Sequence, residues 1–117
     1  MIKAPDDPRS LLPLSSSSFY ILLTLAEGQH HGYSIAKELE ISTGGTVRLG
    51  PGTLYRLLRQ MVADGWIKEV ESEGDERRRC YRLTKWGRRV AVAEAERLSE
   101  VVRMAQLRQL IPTRAGA

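Results

Sequence analysis

Within the stretch Pro51-Gly52-Thr53-Leu54-Tyr55-Arg56-Leu57-Leu58-Arg59-Gln60-Met61, apolar residues recur at 54, 57, 58 and 61, the three- and four-residue spacing of one helical stripe. Pro51 suits the first turn of a helix, where its missing N–H leaves no bond unmade. The other face is left to Thr53, Tyr55, Arg56, Arg59 and Gln60, groups that donate, stack or carry positive charge, with no carboxylate among them. A short amphipathic helix with a basic, acid-free outer face has the shape and chemistry to enter a DNA groove. Taken alone, the same face also fits an ordinary solvated surface, so the surrounding elements decide between the two.

Those elements predict a mainly α fold with a small β-hairpin: a winged helix-turn-helix followed by a long C-terminal helix. Residues 1–14, with prolines at 5, 8 and 13, read as an extended arm whose Leu11, Leu12 and Leu14 are apolar enough to pack. The serine run at 15–18 supplies an N-cap for a first helix over about 17–27, whose Phe19, Leu22, Leu23 and Ala26 form a stripe. A second helix spans about 32–42, and Gly44-Gly45 breaks it before the recognition candidate begins at Pro51. Two short helices joined by a glycine-containing turn, the second one basic, make a helix-turn-helix.

Trp66 to Glu71 and Arg79 to Leu83 then carry strand-forming residues on either side of Gly74-Asp75, a hairpin pattern. A three-residue loop at 74–76 pairs Ile67 with Leu83 and Glu71 with Arg79. Such a hairpin is the wing, and Arg77, Arg78 and Arg79 crowd its tip, where they suit contact with a phosphate backbone or minor groove. The rival reading is a solvated turn balanced by Glu73, Asp75 and Glu76.

Thr84 caps a last helix over about 85–110, roughly 39 Å long at 1.5 Å per residue, too long to hide against so small a body. Ala91, Ala95, Leu98, Val102 and Ala105 repeat with 4,3,4,3 spacing, a heptad seam broadened by Val101 and Met104. An unpaired seam exposes apolar surface, so a second copy is the expected partner, with Phe19 and Leu23 at the same interface. Packing against the first helix of the same chain is the alternative. The domain plan is therefore an arm at 1–14, the winged unit at 15–84, a dimerisation helix at 85–112 and a tail at 113–117.

Charge follows the same plan. The chain has 117 residues and a net charge of +4, yet the window 48–89 alone holds eleven Lys or Arg against six acids. A basic balance favours a polyanionic partner. Cys80 is the lone cysteine, which excludes an internal disulfide, suits a reducing, cytoplasmic compartment, and fits a small filler in a strand. No apolar run approaches the roughly 20 residues a membrane helix needs, and the acidic, proline-containing opening is wrong for a secretory leader. His30 and His31 lack the further ligands a metal site needs, and the sequence offers no glycine-rich phosphate loop or nucleophile–base pair. Neither a cofactor nor an enzymatic site is expected.

The order of His31-Gly32-Tyr33, Leu49-Gly50-Pro51-Gly52-Thr53-Leu54-Tyr55, Asp64-Gly65-Trp66-Ile67 and Arg78-Arg79-Cys80-Tyr81-Arg82-Leu83-Thr84 resembles the PadR family of bacterial transcriptional regulators, in the short subfamily with a single C-terminal dimerisation helix. The resemblance covers about residues 14–110. It implies a homodimeric winged-helix repressor of its own or neighbouring genes, bound to a two-fold symmetric operator in double-stranded DNA and often relieved by a small molecule. It places Tyr55 and the outer side of 51–60 at DNA, the wing arginines in a second contact region, and the Tyr33 hydroxyl near phosphate. Two departures matter. Arg56 stands where many relatives carry proline, and Trp86 lies at the start of the last helix with no aromatic residue after it, which argues against a drug stacked at the dimer centre. The competing function is a winged-helix module that docks an acidic protein without binding an operator.

Overall fold

The computed structural model describes residues 7–72 and 79–113. Helix α1 (Ser16–Ala26) starts where Ser15 Oγ accepts from the Ser18 N–H at 3.1 Å. Its Ile21, Leu22 and Leu25 are buried, and Gly28, at φ 147°, turns the chain out of it. Strand β1 (His30–His31) leads directly into α2 (Gly32–Ser42), which buries Ile35 and Leu39. The turn that follows is firmly built. Thr43 Oγ1 donates to the Leu39 carbonyl at 2.6 Å and accepts from the Val47 N–H at 3.0 Å, while Gly44 and Gly45 take left-handed φ.

Helix α3 (Pro51–Ala63) buries Leu54, Leu58 and Met61 against this pair, and Leu57 is half-buried. Gly65 reverses the chain into β2 (Ile67–Val70), which pairs with β3 (Cys80–Leu83) in the expected register of Ile67 opposite Leu83. The sheet departs from the expected two-stranded hairpin. Strand β1 adds to the far side of β3, His30 opposite Tyr81 and His31 opposite Cys80, giving the antiparallel order β1-β3-β2. The pairing of β2 with β3 closes at Val70 and Cys80, so Glu71 lies outside it, and Arg79 forms its ion pair with Glu69 at 3.3 Å instead.

Helix α4 (Lys85–Leu107) is capped by Thr84, whose Oγ1 accepts from the Gly87 N–H and donates to the Gly65 carbonyl. Gly87 lies so close to Trp66 that any Cβ there would overlap the Trp66 carbonyl. Glycine here is a condition of close helix–strand approach. The helix stops three residues short of the expected position 110. The Leu110 N–H bonds the Ala105 carbonyl, the Gln109 N–H bonds the Gln106 carbonyl, and Gln109 is left-handed at φ 62°. This is a Schellman termination with glutamine where glycine is usual.

The arm is not simply extended. Pro8–Leu11 forms a 3-10 turn against α4, and Leu11 and Leu14 pack on the core as their apolarity suggests. The Leu14 N–H donates at 2.8 Å to Glu94 Oε2, whose side chain is buried on α4 and also receives the Arg97 guanidinium. That guanidinium, more than the Leu14 N–H, holds the Glu94 carboxyl below the ordinary glutamate value.

Candidate nucleic-acid interface

The candidate surface is the outer side of α3. The stripe Leu54, Leu58 and Met61 ties the helix to the core and fixes which way the remaining residues point. Pro51, Gly52, Thr53, Arg56, Arg59 and Gln60 are exposed as a result. The helix has no acidic residue in its first turn. Neither Arg56 nor Arg59 has an ion pair or hydrogen bond among the described residues. Two uncommitted guanidiniums one turn apart on a rigid helix are donors aimed at solvent.

Several members of the expected set are engaged within the protein. The Gln60 amide donates to both carboxylate oxygens of Asp64 at 3.2 Å, so the acid-free face ends at the helix C-cap. Tyr55 is 37% exposed, because one side of its ring lies over Gly32, the first residue of α2. Tyr33 is half exposed, with its ring stacked on His31 at a centroid separation of 6.2 Å.

Arg77 and Arg78 lie outside the described residues. Arg79 is exposed at the base of the wing, but its ion pair to Glu69 makes it a weaker free cation than the sequence suggests. Behind it, burial above all raises the pKa of the Tyr81 hydroxyl. The sequence-based site misses one pair. Lys68 and Arg82 lie directly opposite each other on β2 and β3, both exposed. Like charges in cross-strand register repel, and a bound anion relieves that repulsion. The register Ile67 to Leu83 carried the signal, since it forces 68 opposite 82.

The residues of the last helix that are buried on the chain's own core are Gly87, Val90, Ala93 and Glu94, none of them in the expected seam, and of the expected interface residues Ala91 is half-buried against that core. Ala95 is exposed, Leu98 and Ala105 are half-buried, and Val101, Val102 and Met104 are 45–48% exposed. On α1, Phe19 is half-buried and Leu23 is 44% exposed. Among the described residues there is no cluster of three or more metal-ligating side chains, and no helix is long and apolar enough to cross a membrane.

The sequence model of the transcriptional regulator PadR-like family matches residues 21–93. The transcriptional regulator Rv3488 of Mycobacterium tuberculosis is 36% identical over 85 residues, 72% of this chain and 77% of that protein. An uncharacterized 37.1 kDa protein in transposon TN4556 of Streptomyces fradiae is 33% identical over 87 residues, 74% of this chain. The matched region is 24% of that protein, so the chain spans about a quarter of this relative. Among solved structures, a transcriptional regulator from Clostridium thermocellum superposes with a TM-score of 0.66 at 28% identity, covering 80% of this chain and 96% of that one. RosR of H. salinarum does so with a TM-score of 0.64 at 30% identity, covering 85% and 91%. MarR from E. coli, complexed with operator DNA, has a TM-score of 0.69 at 18% identity, covering 89% and 69%, and shares the fold alone.

Proposed function

Because this chain belongs to the PadR-like family of transcriptional regulators, we propose that it acts as a homodimeric repressor that binds a two-fold symmetric operator, its own or a neighbour's, through α3. The observation that carries the reading is the pair Arg56 and Arg59, exposed and without a partner among the described residues, on the outer face of a helix anchored by Leu54, Leu58 and Met61. In the major groove, guanidiniums bond guanine edges or flanking phosphates, and Thr53 adds a hydroxyl beside them. The wing lies along the adjacent backbone. The exposed apolar residues Val101, Val102, Met104 and Leu107 support a second copy against the outer half of α4. Two-fold symmetry then sets the reading helices about 34–36 Å apart, one turn of the duplex. A small molecule that relieves repression acts by favouring another separation of the two helices.

The experiment is an electrophoretic mobility shift with the DNA upstream of the gene and a scrambled duplex of equal length, across a salt series. The upstream DNA is retarded at lower protein concentration, and affinity for both falls steeply with salt as counterions are released. No retardation of either duplex at low salt overturns the reading and leaves an acidic protein partner as the better one.

A further inference from the structure

Gly32 poses a question that its backbone does not answer. Its φ lies outside the left-handed range, unlike that of Gly28, Gly44, Gly45 and Gly65, so any residue could adopt its conformation. What excludes a side chain is space. A Cβ at 32 would lie 2.9 Å from Tyr55 Cε1, 3.0 Å from Tyr55 Oη and 3.2 Å from Cζ. The ring of the recognition-helix tyrosine fills the volume where a methyl group would be. On its other side, the Gly32 N–H donates at 3.2 Å to the carbonyl of Arg79, at the base of the wing, and the two preceding residues pair with β3.

One residue at the start of α2 is thus wedged between α3 and the return strand of the wing. We infer that Gly32 is a positioning residue for DNA recognition: by seating the Tyr55 ring it sets α3 relative to the wing, and so decides whether both reach their contacts on the same half-site. This rests on the operator-binding reading above. It also gives Tyr55 a role distinct from base contact. Its ring works inward against Gly32, and only its outer edge faces the partner.

Discrimination, the ratio of affinity for upstream DNA to that for scrambled DNA, is the readout, because a merely structural glycine would alter stability and leave this ratio alone. Gly32→Ala pushes the ring off its seat, and the ring's far end can swing away without unfolding the core. Discrimination falls about tenfold or more, while affinity for scrambled DNA and the thermal midpoint stay near wild type. In a Tyr55→Ala background there is no ring to displace, so adding Gly32→Ala changes discrimination less than about twofold, a strongly non-additive cycle. Tyr55→Phe keeps the ring and retains at least about fivefold more discrimination than Tyr55→Ala. Full discrimination by Gly32→Ala, equal losses in both backgrounds, or equal losses from Tyr55→Phe and Tyr55→Ala would each overturn the positioning role. If wild type itself fails to discriminate, the operator reading falls and this inference with it; if only the variants behave otherwise than stated, the operator reading stands.

Discussion

Helix α3 and the outer half of α4 are both amphipathic helices that show a face to solvent, and the two faces differ in kind. On α3 the central stripe of Leu54, Leu58 and Met61 is used by the chain's own core, and the outer face carries mainly hydroxyl, amide and guanidinium groups, with Val62, 41% exposed, as an isolated apolar residue near its end. On α4 the core takes Val90, Ala93 and Glu94 but nothing beyond them, and the next turns leave Val101, Val102, Met104 and Leu107 in water, the last at 66% exposure. A solvated cationic face is stable while it waits, because water satisfies every donor on it. A row of half-exposed aliphatic side chains is satisfied only by coverage. Within one chain of 117 residues, the difference separates a face suited to a polyanion from one suited to another apolar helix, as the proposed operator-binding dimer requires.

The largest effect that tests this contrast comes from placing a charge on the apolar side. Val102→Glu puts a carboxylate in the middle of the outer α4 face, where a second copy would have to bury it unpaired. Dimer dissociation should rise about 100-fold or more, read by sedimentation, with an unchanged circular dichroism spectrum. A Val102→Glu protein that remains a dimer at micromolar concentration would move the interface to another face. The reciprocal change is smaller. Arg59→Ala should leave the oligomer intact and reduce specific binding about 10- to 100-fold, the range for losing one base-edge arginine. A loss shared equally by scrambled DNA would make Arg59 a phosphate contact.

Away from both faces, the segment before α1 is anchored to α4 by a buried carboxylate. Buried Glu94 takes the Leu14 N–H and the Arg97 guanidinium, tying the segment before α1 to the middle of α4. Glu94→Ala leaves that N–H without a partner and should lower stability by about 1–3 kcal/mol in a urea titration. The pH dependence has a definite sign. Because the folded carboxyl is held below its ordinary value of 4.5, first by Arg97 and then by Leu14, the charged form is favoured on folding. Its contribution is complete above that ordinary value and is lost as pH falls through the lowered one. Glu94→Gln should therefore flatten the acid side of the stability profile, and an unchanged acid limb would show that the anchor is not electrostatic.

How much of this was legible in the sequence depends on the distance over which each feature is specified. The stripe of α3, a cap from the serine run before α1 and the Thr84 cap of α4 are set by neighbours within a few residues and are found as read. The Ile67–Leu83 pairing of the wing is found as well, though not that of Glu71 with Arg79. Strand β1 is two residues long, too short to show an alternating pattern, and exists because β3 offers it an edge. The Glu94 anchor joins positions 80 residues apart, and nothing local distinguishes its carboxylate from exposed Glu96. The Gly32 contact with Tyr55 is of the same long-range kind. The end of α4 is a different case: Gln109 adopts a left-handed conformation that its side chain does not advertise, so the helix reads three residues too long. The sequence told which face of α3 is exposed but did not show that Gln60 and Arg79 spend their polar groups on Asp64 and Glu69.

The Gln60 pair gives the smallest expected effect and marks where the cationic face ends. Gln60 and Asp64 are four apart on one helix edge, an exposed contact of the sort worth a few tenths of a kcal/mol. Gln60→Ala should change stability by less than about 0.5 kcal/mol. With the amide engaged by Asp64, DNA affinity should move less than about threefold, far below the effect of Arg59→Ala one residue earlier. Asp64→Asn should instead raise affinity modestly and equally for upstream and scrambled DNA, since it removes the carboxylate that borders the face. If Gln60→Ala loses as much discrimination as Arg59→Ala, the amide must leave Asp64 for a base when DNA binds, and Gln60 joins the reading surface.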